Sequence, residues 1–218
     1  MNRPSYLPLQ LDLDERPALV VGGGDVAAQK VSVLLRSGAV ITVVSPQLCP
    51  KLAEEERKGS IEWWSRTFES GDASRFFITI AATGDHDVNS SIAREVEAAG
   101  RLVNVVDVPE LCNFILPAVH HRGAMQVSVS TSGASPALAS WMRDRIATEL
   151  EDEPIEDLLD YIRGWRQRVR ETIGDFSNRS IFWKRALSTG VPSLFLAGDR
   201  QRAEAELCGL LEGFARTR

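Results

Sequence analysis

Positive charge is scarce in this sequence. Its 25 lysines and arginines are outnumbered by 30 aspartates and glutamates, and the formal net charge is −5. Nucleic-acid-binding domains usually present a basic face, so this balance argues against nucleic acid as a partner. There is no run of about 18 apolar residues, so no membrane-spanning helix is expected. The N-terminal residues also lack an apolar segment of signal-peptide length, and we therefore expect a cytoplasmic protein.

Cysteine and histidine are also sparse. The three cysteines are Cys49, Cys112 and Cys208. Their wide spacing excludes a disulfide framework and a CxxC metal site, and it predicts reduced thiols. Side chains of neighbouring strand residues point to opposite faces, so the adjacent His120 and His121 cannot easily bind one metal ion together. No spacing typical of a metal site is present, and no bound metal is expected.

Short apolar runs alternate with helical patterns over residues 17–107. Apolar strands separated by helices are typical of a parallel sheet covered on both faces, with right-handed crossovers. The predicted strands lie at 18–21, 40–44, 61–65, 76–82 and 102–106. The predicted helices lie at 25–36, 51–58 and 88–99. The first half of the chain is therefore predicted to be an α/β domain with a Rossmann-type, doubly wound parallel sheet.

The pattern changes after Pro109. Three short strands and a helix are predicted next, at 114–117, 118–120, 125–130 and 135–150. Ser135 is the expected N-cap of that helix, with Pro136 at its first position. The rest of the chain reads as helical, with breaks near Gly174 and at 190–192. We predict a Rossmann domain, a small α+β segment and a helical domain, at residues 1–116, 117–150 and 151–218.

A glycine-rich turn joins the first predicted strand to the first helix. Residues 22–27 match the pattern G-x-G-x-x-G/A, with Gly22, Gly24 and Ala27 in the small positions around Gly23. The first glycine permits a tight turn, the second lets the backbone approach a pyrophosphate, and the third small residue allows close packing of helix and strand. With a strand before it and a helix after it, this turn predicts a dinucleotide site rather than a purely structural turn.

The end of the second strand lacks the acidic residue that usually holds the ribose hydroxyls. Ser45, Pro46 and Gln47 stand there instead, and Ser45 can form a hydrogen bond to the ribose. No lysine or arginine follows at once to recognise a 2′-phosphate, since Lys51 is the nearest. NAD is therefore favoured over NADP as the cofactor.

Polar residues mark the ends of the fourth and fifth strands. Asp107 follows the fifth strand at the edge where ligands of such sheets bind, and it could exchange a proton beside a hydride transfer. A structural role, in which Asp107 caps a turn or a helix ahead of Pro109, would explain an aspartate at this position equally well. Thr83 and Asn104 lie at or near the same edge, where either cofactor contacts or turn hydrogen bonds would account for them.

Several separated motifs occur in an order that resembles a known family. Besides the glycine turn, they are YLPL at 6–9, AAT at 81–83, NVVDVPELCNF at 104–114 and VSTSGASPALA at 129–139. Together they resemble the precorrin-2 dehydrogenases, which also form the N-terminal module of siroheme synthase. The resemblance is close over about residues 5–150, whereas the C-terminal third is similar only in its length and helical character.

The resemblance implies a reaction, a cofactor and a set of residues. NAD would accept a hydride from precorrin-2, giving sirohydrochlorin, and Asp107 would be the aspartate that assists proton removal. Asp25, Val26, Pro46 and Gln47 match the family's cofactor contacts by position. The family further implies a homodimer in which residues 117–150 exchange between subunits. A helical domain would cover the tetrapyrrole.

Two alternatives stay open beside this function. The first is a bifunctional enzyme that also inserts iron as a sirohydrochlorin ferrochelatase, and a metal-insertion assay would separate it from a dehydrogenase. The second is a non-catalytic module that binds NAD or a tetrapyrrole, although the intact Asp107 motif argues against it.

Arginines cluster in residues 163–185, where seven positive charges meet only Glu171 and Asp175. Precorrin-2 is a polycarboxylate, and desolvated carboxylates need positive partners, which arginine supplies well. Three arginines share a helix face by their spacing: Arg163, Arg166 and Arg170. They are the predicted substrate-binding residues, and Trp165 and Trp183 could cover the macrocycle. The alternative is a solvated helix face with tryptophans in the core.

Overall fold

Five parallel strands form the sheet in the first half of the chain. In the computed structural model, which describes residues 6–215, their order across the sheet is β3-β2-β1-β4-β5. The strands are β1 (Pro17–Val21), β2 (Val40–Val44), β3 (Ile61–Trp64), β4 (Ile78–Ala81) and β5 (Leu102–Val105). β1 is the central strand and pairs with both β2 and β4. After β3, at one edge of the sheet, the chain crosses over to form β4 on the other side of β1.

Three helices cover this sheet, namely α1 (Asp25–Arg36), α2 (Pro50–Arg57) and α3 (His86–Ala98). Side chains of β1 alternate between the two faces: Ala18 and Val20 pack with α1 and α2, and Leu19 and Val21 pack with α3. Burial on both faces explains why the strands read as continuous apolar runs rather than as alternating ones. The predicted doubly wound α/β fold is confirmed.

A hairpin and a long helix follow the sheet. Strands β6 (Ala118–Arg122) and β7 (Met125–Val129) pair antiparallel, and α4 spans Pro136–Leu150. The Ser135 side chain accepts a hydrogen bond from the N–H of Leu138, which confirms Ser135 as the N-cap. The strand predicted at 114–117 is wrong. Phe114 and Leu116 pack against the core beside the sheet, but Pro117 has no N–H to offer a strand partner.

Four helices occupy the last part of the described chain: α5 (Ile155–Thr172), α6 (Phe176–Ser188), α7 (Val191–Leu196) and α8 (Arg200–Ala215). The predicted breaks at Gly174 and at 190–192 are confirmed, and Gly190 has a φ of 80° that suits glycine. A further break at Gly198 and Asp199 separates α7 from α8, and the sequence reading missed it. Buried side chains from all four helices form one apolar cluster, among them Val169, Phe182 and Leu207.

The chain divides into two compact units between Leu116 and Pro117. The first holds the parallel sheet, and the second holds the hairpin and the helices α4 to α8. The further boundary near residue 150 and the roles assigned to the segments stay predictions. Within residues 6–215, no helix is both long enough and apolar enough to cross a membrane.

Glu204 on α8 ties this helix to α5. Its carboxylate accepts hydrogen bonds from Tyr161 Oη at 2.9 Å, Trp165 Nε1 at 3.0 Å and Arg168 Nη1 at 3.0 Å. Partial burial acts to raise the pKa of Glu204, but the hydrogen bonds from these side chains, foremost Arg168, outweigh it and hold the pKa below its usual value. Burial, followed by the nearby carboxylate, raises the pKa of Tyr161 to about 12.

Replacing Glu204 with glutamine is expected to lower the free energy of unfolding by about 1 kcal/mol at neutral pH, because a half-exposed, charge-assisted hydrogen-bond cluster is lost. The folded pKa lies below the unfolded one, so the carboxylate stabilises fully above the unfolded value of 4.5 and less as the pH falls through the folded pKa. Chemical unfolding followed by circular dichroism over this acidic range measures both effects. Glu206→Gln on the same helix is the control, and an equal loss in that variant would contradict this role.

Candidate dinucleotide-binding site

The glycine turn lies at the carboxyl end of β1, between β2 and β4. Gly22 has a φ of 126°, and a Cβ there would lie 2.4 Å from the carbonyl oxygen of Ala82. A Cβ at Gly23 would lie 1.8 Å from the carbonyl oxygen of Gln47. A Cβ at Gly24, in contrast, would meet nothing within 4 Å. The first two glycines are therefore required by the protein itself, and the third leaves open the side from which a pyrophosphate would approach.

The first turn of α1 is prepared for a negatively charged group. Gly24 is the N-cap residue, and among residues 6–215 no side chain caps this helix start. The start of α3 differs, because Asp85 accepts hydrogen bonds from the N–H groups of Asp87 and Val88. An uncapped helix start directs N–H groups and a partial positive charge at a phosphate. The residues present thus fit a dinucleotide.

The segment after β2 packs directly on the glycine turn. The N–H of Cys49 donates to the carbonyl oxygen of Gly23 at 2.7 Å. The buried Ser45 hydroxyl donates to the carbonyl oxygen of Gln47, and the Ser45 carbonyl accepts from Trp63 Nε1 at 2.9 Å. Pro46 and Gln47 are exposed. Ser45 therefore shapes the turn that presents Pro46 and Gln47, and its contact with the ribose stays a prediction.

Asp25 and Val26 begin α1 beside the open side of Gly24. Both are exposed, and Val26 exposes 43% of its surface although it is apolar. An exposed valine in the first turn of a helix that carries a phosphate-type glycine loop is consistent with a contact to a bound cofactor. The cofactor-binding roles of both residues stay predictions.

Thr83 follows β4 and forms a local hydrogen-bond network. Its hydroxyl contacts Asn89 Oδ1 at 2.8 Å and the Asp85 carbonyl at 3.1 Å, while Asn89 Nδ2 donates to the Thr83 carbonyl at 3.1 Å. These bonds shape the turn into α3. Thr83 is half-buried at the carboxyl edge of the sheet, and its cofactor contact stays a prediction.

Asp107 lies in the turn that follows β5. The N–H of Val108 donates to the Val105 carbonyl at 3.3 Å, which makes Asp107 the third residue of a four-residue turn. Its φ is 59°, in the left-handed region where turns usually place glycine. Holding a non-glycine residue there costs roughly 1 kcal/mol or more, and strain of this kind is concentrated at functional sites. Its exposed carboxylate lies at the same edge of the sheet as the glycine turn.

Asn104 is buried in β5, on the strand that leads to Asp107. Its Nδ2 donates to the Phe114 carbonyl at 3.1 Å and lies 3.6 Å from Cys112 Sγ. This side chain therefore holds the returning segment 112–114 against the strand. The predicted contact of Asn104 with the cofactor is not tested by this geometry. Cys112 and Asn113 also hold this segment, and no spacing rule singles them out in the sequence.

Arg163, Arg166 and Arg170 share one exposed face of α5, as their spacing predicts. Arg163 forms an ion pair with Asp160 one turn earlier. In the described part of the chain, no ion pair involves Arg166 or Arg170. These two guanidinium groups are one helical turn apart and are the better placed of the three to take an anionic ligand.

The two tryptophans of this region pack within the helical unit. Trp165 is only 2% exposed and belongs to the apolar cluster of α5 to α8, so of the two alternatives left open by the sequence the core position is confirmed and the cover for a macrocycle is wrong. Its side chain is large and apolar and lies on the face of α5 opposite the arginines. Trp183 is half-buried and packs edge-on against Phe182, with ring centroids 5.2 Å apart.

His120 and His121 lie on β6, and their side chains differ in exposure, half-buried and exposed respectively. A cavity of about 360 Å³ lies between β6 and α4. Its lining residues are His120, His121, Arg122, Asp144, Ala147, Thr148 and Glu151. Over residues 6–215, no three or more His, Cys, Asp or Glu side chains are grouped closely enough to hold a metal ion.

The fold and the glycine turn define a class, the Rossmann-type dinucleotide-binding proteins. Comparison with protein families narrows this class. The chain belongs to the family described as "Putative NAD(P)-binding", whose profile matches residues 9–118, about half of the 218 residues. Two further profiles match the second unit: "Sirohaem biosynthesis protein central" at residues 122–149 and "Sirohaem synthase dimerisation region" at residues 155–211.

Curated relatives and a solved structure agree with these profiles. The chain is 40% identical over 202 residues to siroheme synthase 1 of Cronobacter sakazakii, covering 93% of this chain and 43% of that protein. It is 41% identical over 207 residues to the siroheme synthase of Thioalkalivibrio sulfidiphilus, covering 95% and 42%. The chain thus spans about two fifths of the length of these relatives. The resemblance indicated by the sequence motifs is confirmed.

The solved structure titled "SirC, precorrin-2 dehydrogenase" has the same fold. Its TM-score is 0.69 at 24% sequence identity, and the match covers 97% of this chain and 100% of that one. At this identity the likeness establishes the architecture of the chain.

A methyl group at Gly24 is expected to weaken NAD binding by about tenfold while the chain stays folded, because the group projects into the open side of the turn. Titration calorimetry measures the affinity, and thermal unfolding measures Tm. Gly23→Ala is expected to lower Tm instead, because its Cβ would collide with the Gln47 carbonyl. Gly209→Ala on exposed α8 is the control. Unchanged NAD affinity in Gly24→Ala would exclude the turn as the pyrophosphate site.

Proposed function

We propose that this protein is an NAD-dependent dehydrogenase that oxidises precorrin-2 to sirohydrochlorin in siroheme or cobalamin biosynthesis. The observation that carries this proposal is Asp107, an exposed aspartate held in a glycine conformation at the carboxyl edge of a dinucleotide-binding sheet. The family profiles that name sirohaem synthesis, the siroheme synthase relatives and the fold shared with a precorrin-2 dehydrogenase support it.

The reaction removes two electrons and two hydrogens from the substrate. Gly22 to Gly24 would hold the pyrophosphate of NAD⁺, and Pro46 and Gln47 would hold its adenosine end. The bound nicotinamide would supply the hydride acceptor. The second hydrogen leaves the substrate as a proton, which the Asp107 carboxylate accepts and passes to solvent. Because Asp107 is exposed, its carboxylate can be reached by both the substrate and the solvent.

Purified protein mixed anaerobically with precorrin-2 and NAD⁺ is expected to give the visible spectrum of sirohydrochlorin together with NADH. Asp107→Ala and Asp107→Gly are expected to lower kcat by about a hundredfold or more, since general-base assistance is lost. Asp107→Gly is also expected to raise the free energy of unfolding by about 0.5–1 kcal/mol, because glycine adopts the turn conformation without strain. Chemical unfolding of the same samples measures this change.

A variant that is more stable yet inactive would separate the role of Asp107 in the reaction from a role in folding. Conversion at the wild-type rate by Asp107→Gly would remove Asp107 from the reaction. Wild-type protein that binds NAD but never converts precorrin-2 would favour a binding module instead.

We further propose that exposed arginines of α5 recognise the carboxylates of the substrate. Arg166 and Arg170 lack an ion-pair partner in the described part of the chain, whereas Asp160 partly neutralises Arg163. Unpaired guanidinium groups one turn apart can each bind a carboxylate bidentately. Arg163 stays the weaker candidate of the three because its charge is already compensated.

The double variant Arg166→Glu plus Arg170→Glu is expected to raise the KM for precorrin-2 by about tenfold or more, because two favourable charge contacts become repulsive. Its affinity for NAD is expected to stay the same. Steady-state kinetics and titration calorimetry measure these quantities. Arg36→Glu plus Arg57→Glu in the first unit makes the same change in net charge and is the control. An unchanged KM would exclude the arginines from the substrate site.

The protein is proposed to act as a homodimer in the cytoplasm. The profile that names a dimerisation region matches residues 155–211. Three apolar side chains on α4 are also exposed at helical spacing, namely Leu138, Trp141 and Met142. Exchange of residues 117–150 between subunits stays a prediction.

A further inference from the structure

The segment that follows the Asp107 turn runs back along β5. The N–H of Asn113 donates to the Val103 carbonyl at 3.1 Å, and Asn113 Oδ1 accepts from the Val103 N–H at 2.8 Å. Asn113 Nδ2 also donates to the Arg101 carbonyl at 2.7 Å. The side chain of Asn113 therefore forms hydrogen bonds with the Val103 N–H and the Arg101 carbonyl, two backbone groups on the open edge of β5. These bonds fix the place at which the loop returns to the strand.

The thiol of Cys112 contacts backbone groups within the same loop. Its Sγ accepts from the Val105 N–H at 3.1 Å and lies within donating distance of the carbonyl oxygens of Val105, at 3.2 Å, and Val108, at 3.3 Å. Val105 and Val108 are the first and last residues of the turn that holds Asp107. The thiol thus contacts both ends of this turn.

The Asp107 carboxylate has no hydrogen bond that orients it within residues 6–215. The placement of the carboxylate therefore depends on the backbone of the turn, which sets where the side chain begins. That backbone is strained at Asp107, with a φ of 59°, and a strained turn persists only where its surroundings hold it. The surroundings here are the thiol of Cys112 inside the turn and the Asn113 bonds behind it.

We propose that Cys112 and Asn113 are positioning residues that hold Asp107 at the place of proton transfer. This inference rests on the proposed dehydrogenase function. A base displaced by about 1 Å can lose as much as a hundredfold in rate without any loss of substrate binding. Cys112 and Asn113 therefore act on the reaction through the turn, without touching substrate or cofactor.

The test compares Cys112→Ala, Cys112→Ser and a matched control, Cys208→Ala, which makes the same truncation in the second unit. Cys112→Ala is expected to lower kcat by about tenfold to a hundredfold, with the NAD Kd and the KM for precorrin-2 changed by less than about twofold. Cys112→Ser keeps a donor and an acceptor at this position and is expected to recover part of kcat. Cys208→Ala is expected to keep wild-type kcat.

Amide hydrogen exchange of the substrate-free proteins gives a second readout. Cys112→Ala is expected to speed exchange in residues 104–109 and nowhere else in the sheet unit, because the Val105 N–H loses its acceptor. This measurement does not depend on activity. If wild-type protein fails to oxidise precorrin-2, the proposed function falls, and hydrogen exchange alone then decides whether the thiol holds the turn.

Three results would overturn the positioning role. The first is unchanged kcat in Cys112→Ala. The second is a loss of kcat that is matched by equal losses of NAD affinity and Tm and is not relieved in Cys112→Ser, which indicates a merely structural residue. The third is unchanged exchange at residues 104–109.

Discussion

The central place of β1 is the constraint on which the nucleotide-binding unit depends. Because β1 pairs with β2 on one side and with β4 on the other, the chain must leave its carboxyl end through a turn enclosed by both neighbours. The contacts of Gly22 with Ala82 and of Gly23 with Gln47 are the result of that enclosure. The crevice at this end of the sheet, where ligands of such folds bind, follows from the strand order.

The edge of the sheet also explains why strain is tolerated at Asp107. β5 is the last strand, so one side of it is open to the segment that returns from the turn. Where a further strand would pair with β5, the side chain of Asn113 in that segment forms hydrogen bonds to the backbone at β5 instead. A backbone conformation unsuited to aspartate is thereby held by its neighbours, and Asp107 lies at the same edge of the sheet as the cofactor turn.

Regular patterns made most of the fold predictable from the sequence. The runs at 40–44 and 25–36 became β2 and α1 with no change in their bounds, since buried strands and amphipathic helices follow simple periods. Contacts between residues distant in sequence were not predictable. Trp165, for example, is a core residue that donates a hydrogen bond to Glu204 on another helix, a contact that no local pattern in the sequence indicates. The run at 114–117 is apolar like a strand, but its side chains pack against the core and its backbone has no partner strand in the described chain.

The hydrogen bond from Cys49 to the Gly23 carbonyl joins the loop that would receive the pyrophosphate of a dinucleotide to the loop that would receive its adenosine end. A hydrogen bond between the two loops favours a groove that is formed before the ligand arrives. Capture of the nucleotide should then resemble the docking of a rigid body into a preformed groove, with an association rate that rises linearly with nucleotide concentration and does not saturate at a slow closing step. In this protein the affinity for the nucleotide would accordingly be determined by the dissociation rate.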